Sequence, residues 1–283
     1  MSNQPELTAI AGLVAGKLGY RNVSFCGKGS FKETFRAEDA RGNPLALKLV
    51  DRTKISVERT DREIEALKRC DSPRIAKVFA KQTFTAPDKR IFDVVVEEFF
   101  DGGSLEESLR DRRVSQQEVI DLVVGLLLAV RDLQPHRLVH RDIKPANIMF
   151  RKGKPDPVLV DFGIVRDLSQ TSLTATWWPR GPGTPFFASP EQLNNEKALI
   201  DWRSDQFSIG VIASLLLSER HPYQTDPANP NAAVHAVSER RGPAPDFQQR
   251  MKDLGLPSII KMVQPWPVQR FAEPDHVLNL LKK

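Results

Sequence analysis

The chain has 283 residues, 40% hydrophobic and 27% charged, a balance that excludes a disordered or membrane-embedded class and leaves enough length to bury a substantial core in one large domain or two lobes. Its net charge of +5 is spread along the sequence with no Lys/Arg block of five or more, which favours a mixed solvated surface over nucleic-acid binding. Cys26 and Cys70 lack metal-ligand or redox spacing, Glu6 stands where a basic-then-apolar leader would run, and the longest uncharged apolar run, residues 122–130, is too short to span a bilayer, so a cytoplasmic protein with reduced thiols and no membrane partner is expected.

Residues 23–26, 34–37, 45–50 and 91–99 are rich in β-branched and aromatic side chains and are bounded by Gly42-Asn43-Pro44 and Pro87-Asp88, which predicts a small antiparallel sheet. The turn Gly27-Lys28-Gly29-Ser30-Phe31-Lys32 joins the first two strands. Glycine there lets main-chain N–H groups approach the phosphates of a nucleotide, although an ordinary hairpin turn explains the same residues. Strand alternation in Leu45-Ala46-Leu47-Lys48 points Ala46 and Lys48 to one face, the first leaving room for a base and the second reaching phosphate. A lysine that snorkels from a strand end is the rival reading. Residues 57–69 then read as an exposed helix with a packing edge at Ile64 and Leu67. Glu63 on it could hold Lys48 in place, with Glu65 as a competitor whose side chain points well away from that of Glu63.

After Asp101-Gly102-Gly103, a plausible hinge, the pattern turns helical. Ser104 with Glu107, and Ser115 with Glu118, form capping boxes, the second preceding a long apolar helix to about Leu133. His140-Arg141-Asp142-Ile143-Lys144-Pro145-Ala146-Asn147 then puts a carboxylate, an ammonium and a metal-capable amide into one loop, and phosphoryl transfer needs these three groups. Asp161-Phe162-Gly163 follows the strand-like Val158-Leu159-Val160. An aspartate there costs desolvation unless paired, and Mg²⁺ is its natural partner. Residues 168–190 have no apolar period and read as a functional loop, in which Trp177 and Trp178 are either core or a docking surface. A buried helix over 205–217 follows, with Asp205 as a candidate N-cap, and then shorter helices broken by Pro222, Pro227, Pro243, Pro257 and Pro267.

In this order and at these distances, the motifs resemble the eukaryotic-like (Hanks-type) protein kinase superfamily in its bacterial Ser/Thr style, over about residues 20–281 and as a kinase domain alone. The resemblance implies an α+β, bilobal fold: an N-lobe over 1–100 with a small antiparallel sheet and one helix, and a larger, mostly helical C-lobe over 101–283. It implies transfer of the ATP γ-phosphoryl group to Ser/Thr hydroxyls of a protein substrate, with Mg²⁺ or its substitute Mn²⁺. Asp142 would orient the hydroxyl, Lys144 and Lys48 would offset phosphate charge, and Asn147 with Asp161 would bind metal. Glu63 alone matches the family register Arg-Glu-Ile-x-x-Leu and would hold Lys48. Gly27, Lys28, Gly29 and Ser30 would cover the phosphates. Adenine would lie between Thr34 and Ala46 on one side and Met149 on the other, bonded to the backbone of Glu98 and Phe100.

Further matches carry structure and regulation. Gly183-Thr184-Pro185 and Ser189-Pro190-Glu191 resemble the end of an activation segment, with Glu191 buried against Arg270, and Asp205 matches the residue that holds the catalytic loop's backbone. Lys144 and Thr184 match Ser/Thr-specific rather than Tyr-specific members. Arg141, with Arg166, would pair a phosphate on Ser169, Thr171, Ser172, Thr174 or Thr176, added by autophosphorylation through self-association. Lys32 replaces the third glycine of the loop, Thr34 replaces a valine, and Glu97 takes an ordinarily apolar position behind adenine. Glu97 must either pair with a nearby lysine or lie one residue out of register. These departures motivate the alternative of a nucleotide-binding pseudokinase that acts as a signalling scaffold.

Overall fold

A computed structural model describes residues 4–28, 32–52, 64–110, 112–162, 186–224, 226 and 229–282, and the chain divides into two compact units, one of residues 1–71 with 76–100 and the other of 72–75 with 101–283. The smaller unit is built on period-two alternation. Arg21–Lys28 (β1), Lys32–Glu38 (β2), Pro44–Asp51 (β3), Val78–Thr85 (β4) and Ile91–Glu98 (β5) form a five-stranded antiparallel sheet in the order β1-β2-β3-β5-β4. Phe35, Leu45, Leu47, Leu49, Phe92, Val94 and Val96 line one face, and the helix Gln4–Leu18 (α1) lays Ile10, Ala11, Val14 and Ala15 on it. Ala46, Lys48 and Val50 therefore face the other way, as alternation requires.

The sequence reading had neither α1 nor β4. Gly12 and Gly16 lower the propensity of α1, and Leu13, an exposed leucine on it, blurs the amphipathic stripe. β4 is an edge strand with a mixed surface, including Lys81, Gln82 and an exposed Phe79, so its hydrophobic alternation is weak.

In the larger unit both capping boxes are formed, at Leu105–Ser108 (α2) and Gln116–Leu133 (α3). The short helix Pro190–Leu193 (α4) is followed by Trp202–Ser218 (α5), which is buried on nearly every side through Leu215. Asp201 caps α5 by accepting from the Arg203 amide, so Asp205 is not its N-cap and lies one turn inside. A Cβ on Gly210 of α5 would come within 2.6 Å of Val263, so glycine permits the close packing there. The remaining helices, Pro230–Ser238 (α6), Pro245–Asp253 (α7), Pro257–Met262 (α8) and Pro274–Leu281 (α9), each begin with proline. Proline can start these helices because its missing N–H lies among the unpaired first-turn donors; of the prolines expected to break helices, Pro222 and Pro243 do lie between them, whereas Pro257 begins one. The hairpin Ile148–Phe150 (β6) and Pro157–Leu159 (β7) supports the loops on either side of it. Gly102 and Gly103 belong to this unit and are hydrogen-bonded through their backbones to Phe150. A Cβ on Gly102 would meet the Phe150 carbonyl at 2.6 Å, so close approach requires glycine there.

Candidate active site

In the smaller unit the β1–β2 register sets Gly27 opposite Thr34 and Lys28 opposite Glu33, with a Lys28–Glu33 ion pair at 3.1 Å. Gly29, Ser30 and Phe31 lie outside the described residues, as does Glu63. Ala46 stands opposite Glu97, and Lys48 opposite Thr34 and Val95. Lys48 and Glu97 are thus diagonal neighbours on one face of the sheet, within reach of long side chains. Their ammonium and carboxylate form a direct ion pair, 8% and 14% exposed. Of the two possibilities for Glu97, the structure has it paired with a nearby lysine. Glu65, the alternative considered for Lys48, is instead exposed and bonded to Lys68 at 2.7 Å. Glu98 and Phe100 end this unit, with the Glu98 amide donating to Lys77.

The larger unit gathers the residues of the octapeptide into one network. Asp205, 1% exposed, accepts from the backbone amides of His140 and Arg141, each at 2.8 Å. Burial pushes its carboxyl up to about 7, against the opposing pull of those two N–H donors. His140 is fully buried, reaches the Val160 carbonyl at 2.9 Å and packs on Phe162 with ring centroids 4.5 Å apart. The loop is thereby pinned to both α5 and the Asp161 strand end. Arg141 and Asp161 both adopt left-handed backbone, φ 66° and 59°. Such conformations cost about 1–3 kcal/mol each and persist where the surroundings enforce them.

On this frame Lys144 lies 3.0 Å from the Asp142 carboxylate. Asn147 donates its amide to the Asp142 carbonyl at 2.8 Å and to the Asp142 carboxylate at 2.9 Å. That commitment of the Asn147 nitrogen leaves its carbonyl oxygen as the atom for a hard cation. The Asp161 carboxylate and the Asn147 amide oxygen are hard donors of the kind that would suit a cation such as Mg²⁺, which draws further oxygens from phosphate. Met149, on β6, pairs with Val158 and bridges to Ser104.

A second network anchors the chain beyond the long loop. Arg270 and Glu191, both fully buried, form a two-pronged pair at 2.7 and 3.0 Å, and the Ser204 hydroxyl adds a bond at 2.7 Å. Burial acts to raise the Glu191 carboxyl, but the Arg270 guanidinium and Ser204 hold it below the usual carboxylate range. Gln192 donates to the Arg141 carbonyl at 2.8 Å, which ties this segment to the catalytic loop. The sequence reading missed Gln192, although Ser189-Pro190-Glu191-Gln192 carries the capping-box signature that the structure forms. Gly163, Arg166, Ser169, Thr171, Ser172, Thr174, Thr176, Trp177, Trp178 and Gly183-Thr184-Pro185 lie outside the described residues.

The family model described as "Protein kinase domain" matches residues 20–272. The chain is 30% identical over 244 residues to a protein named "Probable serine/threonine-protein kinase" from Streptomyces coelicolor, covering 83% of this chain and 36% of that one. It is 31% identical over 258 residues to a serine/threonine-protein kinase of Myxococcus xanthus, covering 86% and 46%, and 30% identical over 232 residues to one from a Nostoc species, covering 73% and 38%. The chain thus spans between about a third and half of the length of these curated relatives.

Proposed function

The chain belongs to the protein kinase family, and on that premise we propose that it is a serine/threonine protein kinase that transfers the ATP γ-phosphoryl group to a protein hydroxyl. The observation that carries this reading is the Asp142–Lys144–Asn147 network, held at 2.8–3.0 Å and clamped from behind by Asp205. Asp142 accepts the hydrogen bond of the acceptor Ser/Thr hydroxyl and takes its proton as the oxygen–phosphorus bond forms. The bond to the bridging oxygen breaks, and ADP leaves with the electron pair. Lys144, beside Asp142, offsets charge on the moving phosphoryl group. Lys48 serves the phosphates from β3, with Glu97 as its resting partner.

Asn147 and Asp161 would hold a divalent cation, Mg²⁺ or Mn²⁺, which when bound neutralises charge on the phosphate oxygens. Gly27, Lys28, Gly29, Ser30, Thr34, Ala46, Glu98, Phe100 and Met149 are assigned to the nucleotide, and Glu63 to Lys48, on the family register. Lys32, Thr34 and Glu97 had suggested a scaffold, but a scaffold does not require this full set of chemical groups, and nothing in the comparisons favours one. Among the described residues no helix is long and apolar enough to cross a membrane.

Two measurements test this reading. Phosphoamino-acid analysis of a protein substrate treated with the chain and Mg·ATP is expected to return phosphoserine and phosphothreonine, and phosphotyrosine alone would overturn the specificity. Mass spectrometry after incubation with ATP is expected to find phosphate within residues 169–176. Its absence there would remove autophosphorylation at that segment from the proposal.

A further inference from the structure

Away from the catalytic loop, the larger unit holds a recess of about 960 Å³ between the approach to α3, the end of α5 and the α7 helix. Its rim carries Arg110, Arg112, Arg113, Arg220 and Arg250 against two carboxylates, Glu219 and Asp246. Arg113 meets Glu219 at 3.5 Å, Arg220 meets Asp246 at 3.1 Å, and Arg112 turns to Glu118 at 2.6 Å, all with exposed side chains. Such exposed pairs are weak and exchange readily for a better anion. Arg110 and Arg250 have no ion pair among the described residues. His221 adds no charge. It bonds to the Phe186 carbonyl and accepts from the Tyr223 amide, each at 3.1 Å, and burial pushes its imidazole down to about 3.

His221 also places the recess. It lines the cavity while its ring packs on Phe186 at 4.6 Å, so one wall is shared with the segment that Gln192 ties to the catalytic loop. Leu216 and Leu217 give the recess an apolar floor beneath the cationic rim.

We propose that this recess binds a segment of the protein substrate that carries clustered negative charge, as glutamate, aspartate or phosphoserine, and so makes the chain selective for acidic substrates. The proposal rests on the kinase reading. Arginine forks match carboxylate and phosphate oxygens two at a time, and the apolar floor suits the stems of the intervening side chains. A concave site favours an extended peptide over a lipid surface. The aromatic residue that lines it, Phe247, is buried and offers no face on which a base could stack.

The test uses the whole chain and fluorescence anisotropy with three labelled peptides: glutamate alternating with serine, glutamate alternating with phosphoserine, and a glutamine–serine control. Both acidic peptides are expected to bind, the phosphorylated one more tightly, and Arg110→Glu with Arg250→Glu is expected to weaken them about tenfold or more. The glutamine peptide should bind weakly and equally to both proteins. In a phosphoryl-transfer assay the double variant should raise KM for the acidic serine peptide and leave kcat unchanged. An unchanged melting temperature would show that the variant folds. Equal affinity of wild type and variant would overturn the proposal, as would binding of inorganic phosphate without either acidic peptide, or tighter arginine-dependent binding of RNA or of phosphatidylserine vesicles. Peptide binding without transfer would defeat the kinase reading and leave the recess standing. Transfer with no preference for charge would defeat the recess alone.

Discussion

At the scale of single residues, two buried groups in the larger unit titrate in opposite senses. His221 is held neutral: burial pushes its pKa down to about 3 from 6.5, against the Phe186 carbonyl that Nε2 bonds, while Nδ1 accepts from the Tyr223 amide. Between these values the unfolded chain binds the proton that the folded chain refuses, so His221 removes stability as pH falls below 6.5, by about 1.4 kcal/mol per pH unit. Asp205 runs the other way. Burial raises it to about 7 from 3.8, so in that window the folded chain binds the extra proton and stability rises as pH falls. Thermal denaturation between pH 6.5 and 4 should therefore be nearly flat for the wild type. His221→Gln should become more stable on acidification and Asp205→Asn less stable, and parallel profiles for all three proteins would contradict these assignments. The Lys48–Glu97 pair gives a second residue-scale prediction. Glu97→Leu takes a carboxylate from a largely buried ammonium and should cost about 3 kcal/mol, most of which Lys48→Met in the same chain should restore. Additive losses in that double-mutant cycle would mean that the two residues do not interact.

At the scale of elements, α1 is the part least legible in the sequence and the one whose removal should matter most to the smaller unit. It lies outside the stretch that matches the family, residues 20–272, yet it closes the hydrophobic face of the sheet. Ile10→Ala should destabilise the chain by about 2–5 kcal/mol, since the fixed sheet leaves a cavity behind. Denaturant unfolding measures the loss, and an unchanged midpoint would mean that the helix does not cover the sheet. What could be read directly were elements whose local chemistry and tertiary role agree. Ser115 and Glu118 mark the start of α3 at the residue where it begins, and the alternation through Leu45–Lys48 sorts the sheet face under α1 from the opposite face correctly. α1 and β4 were hidden because their burial comes from partners distant in sequence and their own patterns are weak. Asp205 had two readings for a related reason. Its residue type suits an N-cap while the family resemblance implies a clamp on the loop, and its bonds to the amides of His140 and Arg141, far away in sequence, decide for the clamp.

At the scale of the whole molecule, the proposed catalytic residues stand out in the sequence because phosphoryl transfer demands few side-chain types in fixed order, which Asp142, Lys144, Asn147 and Asp161 would supply. For Lys48 the family register assigns Glu63, which lies outside the described residues, and the structure adds Glu97 from the neighbouring strand β5, which the sequence offered only as a carboxylate in need of a lysine. The chain's length relative to its relatives leaves its activity to be established on this polypeptide itself. The account predicts that γ-labelled Mg·ATP will transfer label from the wild type to protein serine and threonine, and that Asp142→Asn, which keeps the size of the side chain but not its basicity, will lower the rate by about 10²–10⁴-fold. Equal labelling by the wild type and Asp142→Asn would contradict it.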